Sequence, residues 1–125
     1  MFGFGEAKEH RNDVYSDDFN PQKHESSFLH EAVAGGAAFE AMKLWEDRQR
    51  SKGEVVEHAF AKEALAGLAA AEVDKLAETK GMDYLDREKA KHHAKKQAEH
   101  LYEQQHGQYD DYNPNQNARH ETMDY

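Results

Sequence analysis

Apolar positions recur at helical spacing twice between residues 28 and 80. Leu29, Val33, Gly36, Ala37 and Leu44, flanked by Phe28, Ala32, Phe39 and Met42, fall on one stripe at 3.6 residues per turn, and Ala61, Leu65, Leu68, Ala69 and Leu76 fall on another in matching positions. The match is an internal repeat. Glu31–Leu44 and Glu63–Leu76 are identical at nine of fourteen positions, Gly35/Gly67, Glu40/Glu72 and Lys43/Lys75 among them, and Phe28 and Phe60 precede the two copies at the same offset. Ser26 or Ser27 can cap the first helix, which the pattern carries to about Ser51 before Lys52-Gly53 ends it. The second opens near Glu54–Glu57, where acidic groups suit the positive end of the helix dipole, and closes at about Lys80 before Gly81. Asp83 can cap a third helix running to about Gln105, with a narrow inner face of Ala90, Ala94, Ala98, Leu101 and Gln105.

Gly35 and Gly67 lie inside these helices, where each costs on the order of 1 kcal/mol relative to alanine. With Gly36, Ala32 and Ala64 they form small-residue faces across which two backbones can approach closely, so these positions are the expected helix contacts. The expected fold class is all-α: an antiparallel helical hairpin over residues 26–80 built from the internal repeat, plus a third helix at 84–105, with disordered N- and C-terminal segments. Residues 1–24 mix Phe2, Phe4, Val14, Tyr15 and Phe19 with charged side chains without a sustained period, and Asn20-Pro21 breaks any helix. They read as a flexible aromatic-containing arm able to dock on the helices or on a partner. Residues 25–106 then form the three-helix domain, and the polar residues 107–125, interrupted by Pro114, form a disordered acidic tail.

Composition narrows this picture. The chain of 125 residues holds 7 Leu, 5 Val, 6 Phe and no Ile, at a net charge of −9, so its core must be thin and rich in alanine. Self-association or a protein partner is expected, because a dimer would bury the second sides of long, lightly apolar helices. The absence of cysteine excludes disulfides and thiolate sites and fits a cytoplasmic chain. The first residues do not read as a signal peptide, and no apolar run approaches the roughly 20 residues of a membrane span. Peripheral membrane association through the amphipathic helices, and nucleic-acid binding through the cations of Arg87–Lys96, are both opposed by the overall acidity.

Candidate chemistry is sparse. His93, Gln97 and His100 share one helical face, making His93 and His100 the candidate metal ligands, for weak zinc binding completed by His92 or His106 of a second chain. A di-iron carboxylate bundle needs Glu-x-x-His on paired helices, and Glu103/His106 is the sole instance. Glu40 and Glu72, at equivalent places beside the stripes, and Trp45 mark a possible pocket at the helix interface, either a ligand site or solvated carboxylates paired with lysines. There is no phosphate-binding Gly-rich loop, no Gly-x-Ser-x-Gly and no His-Glu-x-x-His, so no catalytic residue and no resident cofactor is assigned.

Three stretches carry a resemblance: Leu29-His-Glu-Ala-Val-Ala-Gly-Gly-Ala-Ala-Phe-Glu-Ala-Met-Lys-Leu-Trp-Glu-Asp47, His58-Ala-Phe-Ala-Lys-Glu-Ala-Leu-Ala-Gly67, and Glu78-Thr-Lys-Gly-Met-Asp-Tyr-Leu-Asp-Arg-Glu-Lys-Ala-Lys-His-His-Ala94. They resemble the fungal CipC-like antibiotic-response proteins over about residues 24–106. The resemblance implies a small cytosolic protein tied to stress, antibiotic exposure and growth on hosts, of undefined biochemical activity and without known catalytic residues. A looser likeness, to the plant abscisic-acid, stress and ripening proteins, implies zinc-responsive, chaperone-like behaviour. The expected function is that of a non-enzymatic stress-response protein acting through protein interaction or protective binding. The alternatives are a small-ligand binder or enzyme at the helix interface, and a weak zinc-responsive chaperone or membrane-surface binder.

Overall fold

A computed structural model describes residues 3–21, 26–107, 109, 112 and 113. The capping role expected of Ser26 or Ser27, and the tail from Pro114 onward, lie outside the described residues and side chains. Four helices follow one another: α1 (Phe4–Val14), α2 (Ser26–Lys52), α3 (His58–Lys80) and α4 (Tyr84–His106). The only extended pairing among the described residues is a single antiparallel bridge between Val56 and Tyr112. The fold class is therefore all-α, as the periodicity predicts.

The helix ends follow local chemistry. Gly53 and Gly81 take positive φ values of 69° and 76° and close α2 and α3, a conformation that side chains disfavour. The Asp83 carboxylate accepts the Asp86 backbone N–H at 2.8 Å, satisfying one free donor at the start of α4. Helix α3 starts after Glu57, which makes no side-chain cap.

Helix α2 is the centre of the molecule. Every residue from Ala32 to Phe39 is buried, as expected of a helix apolar all round and covered on all sides. Helices α3 and α4 pack on it and on each other, and α1 lies against it as well. The antiparallel partner α3 carries the same repeat yet buries only one stripe, Ala61, Leu65, Ala69, Val73, Leu76 and Ala77.

Two expectations change here. Residues 4–14, which the pattern leaves without an element, are helical. Phe4, Ala7 and Val14 are buried and Arg11 completes a 3-4-3 spacing whose apolar content is too slight to register as a period. The close backbone approach is also elsewhere. A Cβ on Gly36 would lie 2.7 Å from Val14 Cγ2 and 2.9 Å from Arg11 Cα, so the glycine admits α1, not α3. Gly35 is buried in α2 and Ala32 lies beside Phe28 facing the α1 side. Gly67 and Ala64 are exposed, and a Cβ on Gly67 would meet nothing within 4 Å. The hairpin closes through the leucine and valine stripe of α3 because that face removes more apolar area from water than the Ala/Gly face.

Candidate functional site

Three polar clusters are built on this frame. The most buried surrounds Glu46, which follows Met42 and Trp45 on the inward side of α2 and is fully buried. A carboxylate there must be paired or it is costly. One oxygen, Oε1, accepts from Nε2 of His106, the last residue of α4. The other, Oε2, accepts from the Arg50 guanidinium at 3.1 Å and from the Tyr112 hydroxyl at 3.0 Å. Tyr112 lies against Trp45 with ring centroids 4.4 Å apart, and Tyr102 meets Trp45 edge-on at 5.8 Å. The Tyr112 backbone pairs with Val56 through two hydrogen bonds of 2.8 and 2.7 Å. His58 anchors the same region: its Nε2–H donates to the Tyr109 carbonyl at 2.5 Å, which leaves Nδ1 to accept from the Tyr102 hydroxyl at 2.5 Å. Burial, and then the neighbouring Glu46 charge, push the Tyr112 phenol above its ordinary pKa, so it stays a donor.

Carboxylate, imidazole and phenol together are groups that move protons in enzymes. Here Glu46 and His106 have no exposed surface, so their immediate chemistry is to hold the chain beyond α4 against the bundle.

The second cluster uses the repeat's glutamates. Arg11 Nε donates to Glu40 at 2.8 Å, the Tyr15 hydroxyl donates to Glu72 at 2.6 Å, and the Arg11 guanidinium lies 5.1 Å from the Tyr15 ring centre. Lys80 Nζ donates to the Ser16 carbonyl at 2.5 Å. Burial and the hydrogen bond to Glu72 raise the Tyr15 phenol's pKa. Equivalent carboxylates of the two copies thus receive successive turns of one segment. The expected grouping of Glu40, Glu72 and Trp45 is divided: the glutamates hold α1 and its trailing turn, whereas Trp45 belongs with Tyr102 and Tyr112. Lys43 pairs with Asp47 at 3.0 Å.

The third cluster concerns the histidines of α4. His93 stacks beside His30, ring centroids 6.5 Å apart, and His30 Nε2 is 2.6 Å from Asp86 Oδ1. Burial, then the neighbouring His92 and His30, hold the His93 pKa below its ordinary value. His100 instead lines a surface recess of about 380 Å³ with Lys62, Lys96, Glu99 and Glu103. Two helical turns separate His93 from His100, about 10 Å along the axis, against zinc–nitrogen distances of ~2.0–2.1 Å. Among the described residues no three His, Asp or Glu side chains gather in a group that could hold a metal ion. Two of the cations in Arg87–Lys96 are committed to α3: Arg87 and Lys91 reach Asp74 at 2.7 and 3.3 Å. No described helix is long and apolar enough to cross a membrane.

Sequence reasoning missed Glu46, His58, Tyr102 and Tyr112, and considered His106 only at a helix end and as a zinc ligand lent by a second chain, not as the partner of Glu46. The available signals were a glutamate beside Trp45 on an inward stripe and tyrosines, Tyr112 among them, in a largely polar tail.

The fold and these clusters define a small all-α protein organised around one enclosed helix, with polar side chains spent on fastening its flanking segments. The family described as virulence factor CipC-like matches residues 10–105, and the chain belongs to that family. The match spans the last five residues of α1, all of α2 and α3, and α4 to its penultimate residue. Nothing matches among curated proteins or among solved structures.

Proposed function

We propose that this CipC-like chain acts by binding a protein partner in the response to antibiotics or other stress, and not by turning over a substrate. The observation that carries this reading is where the apolar side chains stand. Phe60 at the start of α3 and Tyr84 and Leu85 at the start of α4 are 64%, 72% and 69% exposed, in a chain with few large apolar residues. The groups best suited to acid–base chemistry, Glu46 and His106, are enclosed and bonded to each other. Large exposed apolar side chains near helix starts suit association, where aromatic anchors supply much of the binding energy.

The test is affinity capture from antibiotic-treated source cells with the wild-type chain and with Phe60→Glu and Leu85→Glu variants whose thermal unfolding is unchanged. A partner held by the wild type and lost from either variant supports the reading. Identical capture by all three, or turnover of a substrate by the purified chain, overturns it.

A further inference from the structure

The side chain of Tyr112 occupies a socket made by two helices. Trp45, Glu46 and Arg50 come from α2, and Tyr102 and His106 from α4. Within the helices the Glu46 carboxylate already has two donors, His106 on one oxygen and Arg50 on the other. Tyr112 adds a flat ring against Trp45, edge-on to His106 at 4.9 Å, and a hydroxyl that donates to Glu46 Oε2. Its backbone is joined to Val56, which like Tyr112 lies outside the four helices. Trp45, Glu46, Arg50 and Tyr102 fall within the span matched by the family, and Tyr112 falls outside it.

We propose that this socket is a binding site for a small neutral phenol, with Tyr112 as its internal occupant. The chemistry is specific to that class. Trp45 supplies an aromatic face that a ring tilted at 53° meets with its centroid 4.4 Å away, and a buried carboxylate oxygen accepts a phenolic O–H. An arene without the hydroxyl leaves part of the carboxylate's hydrogen-bonding capacity unused, and an anionic arene is repelled by Glu46. A tethered side chain competes at an effective concentration in the millimolar range, so the free ligand binds the intact chain weakly and binds strongly only when Tyr112 leaves. The site is independent of the surface reading above, since Phe60 and Leu85 take no part in it.

The test uses the full chain and 4-methylphenol, with toluene as the hydroxyl-free control, followed by calorimetry and by the indole NMR signal of Trp45, the one tryptophan. Tyr112→Ala should bind 4-methylphenol saturably, at least tenfold more tightly than toluene, and Glu46→Gln in that background should reduce the preference. Tyr112→Phe keeps the ring and gives up the hydroxyl, so it should bind 4-methylphenol several-fold more tightly than the wild type. In the wild type, saturating 4-methylphenol should speed hydrogen exchange at the Val56 and Tyr112 amides. Equal binding of 4-methylphenol and toluene by Tyr112→Ala would show only an unselective hole and overturn the proposal. If Tyr112→Ala does not fold, unchanged amide exchange in the wild type together with no gain in Tyr112→Phe overturns it equally.

Discussion

Gly36 and Gly67 sit one position out of register in two copies of the same repeat, and their surroundings give opposite expectations. At Gly36 an added methyl would press on Val14 and on the Arg11 backbone. Gly36→Ala should therefore lower stability by roughly 1–3 kcal/mol, the usual cost of overpacking, in spite of alanine's better helix propensity. At Gly67 the added methyl meets open space, so Gly67→Ala should raise stability by up to about 1 kcal/mol. Chemical denaturation of the two single variants checks both signs, and equal effects would contradict the docking of α1 on Gly36. Tyr112→Phe removes one of three donors to an enclosed carboxylate. Its expected cost is about 1.5–3 kcal/mol, the range for hydrogen bonds to charged groups, and the same unfolding measurement reads it.

Between elements, short polar ties matter more than their individual strengths suggest, because the apolar layer is thin. Helices α3 and α4 are joined through Asp74. Burial alone would raise its carboxyl pKa, but hydrogen bonds from Arg87 and Lys91 outweigh burial and hold it below the ordinary value of 3.8. A carboxyl depressed in the folded chain contributes stability that is present above 3.8 and is lost as pH falls through the folded value. Acid unfolding of Asp74→Asn should accordingly show a shallower loss below pH 3.8 than the wild type. Added salt should shrink the difference, because the pair is near the surface. Helix α1 has a comparable tie in Arg11–Glu40 and Tyr15–Glu72. Glu72→Gln keeps a hydrogen-bond acceptor and should leave α1 docked, whereas Glu72→Ala should increase hydrogen exchange across Phe4–Val14.

For the whole molecule these titrations bound a window of stability. Tyr15 and Tyr112 have folded pKa values above the ordinary 10.0, so each contributes stability that is complete below pH 10.0 and is lost as pH rises through the folded value. Alkaline titration by phenolate absorbance should therefore find that the Tyr15→Phe and Tyr112→Phe variants each lose one of the phenols that ionise only as the chain unfolds. On the acid side His93 is depressed from 6.5, so the unfolded chain binds its proton first and stability falls as pH drops from 6.5 towards the folded value. Replacing His93 by glutamine should flatten that part of the curve while leaving the alkaline limb in place.

The features legible along the chain are those governed by near neighbours. The spans of α2, α3 and α4, the glycine stops at Gly53 and Gly81 and the Asp83 cap all depend on periodicity and hydrogen bonds within one turn, and they emerge where expected. The stretches that carry the CipC-like resemblance are likewise continuous in sequence and fall within the matched span. Which face each helix covers was not legible. Copies of one repeat become an enclosed α2 and a half-open α3, since burial depends on what else the chain can bring alongside, and a slight α1 reaches only the glycine that admits it. The Glu46 cluster is the extreme case. Its partners His106 and Tyr112 lie 60 and 66 residues away, and no local spacing links them. They meet because the antiparallel course of the helices brings the ends of α2 and α4 together, and a carboxylate drawn into that apolar junction must find donors there.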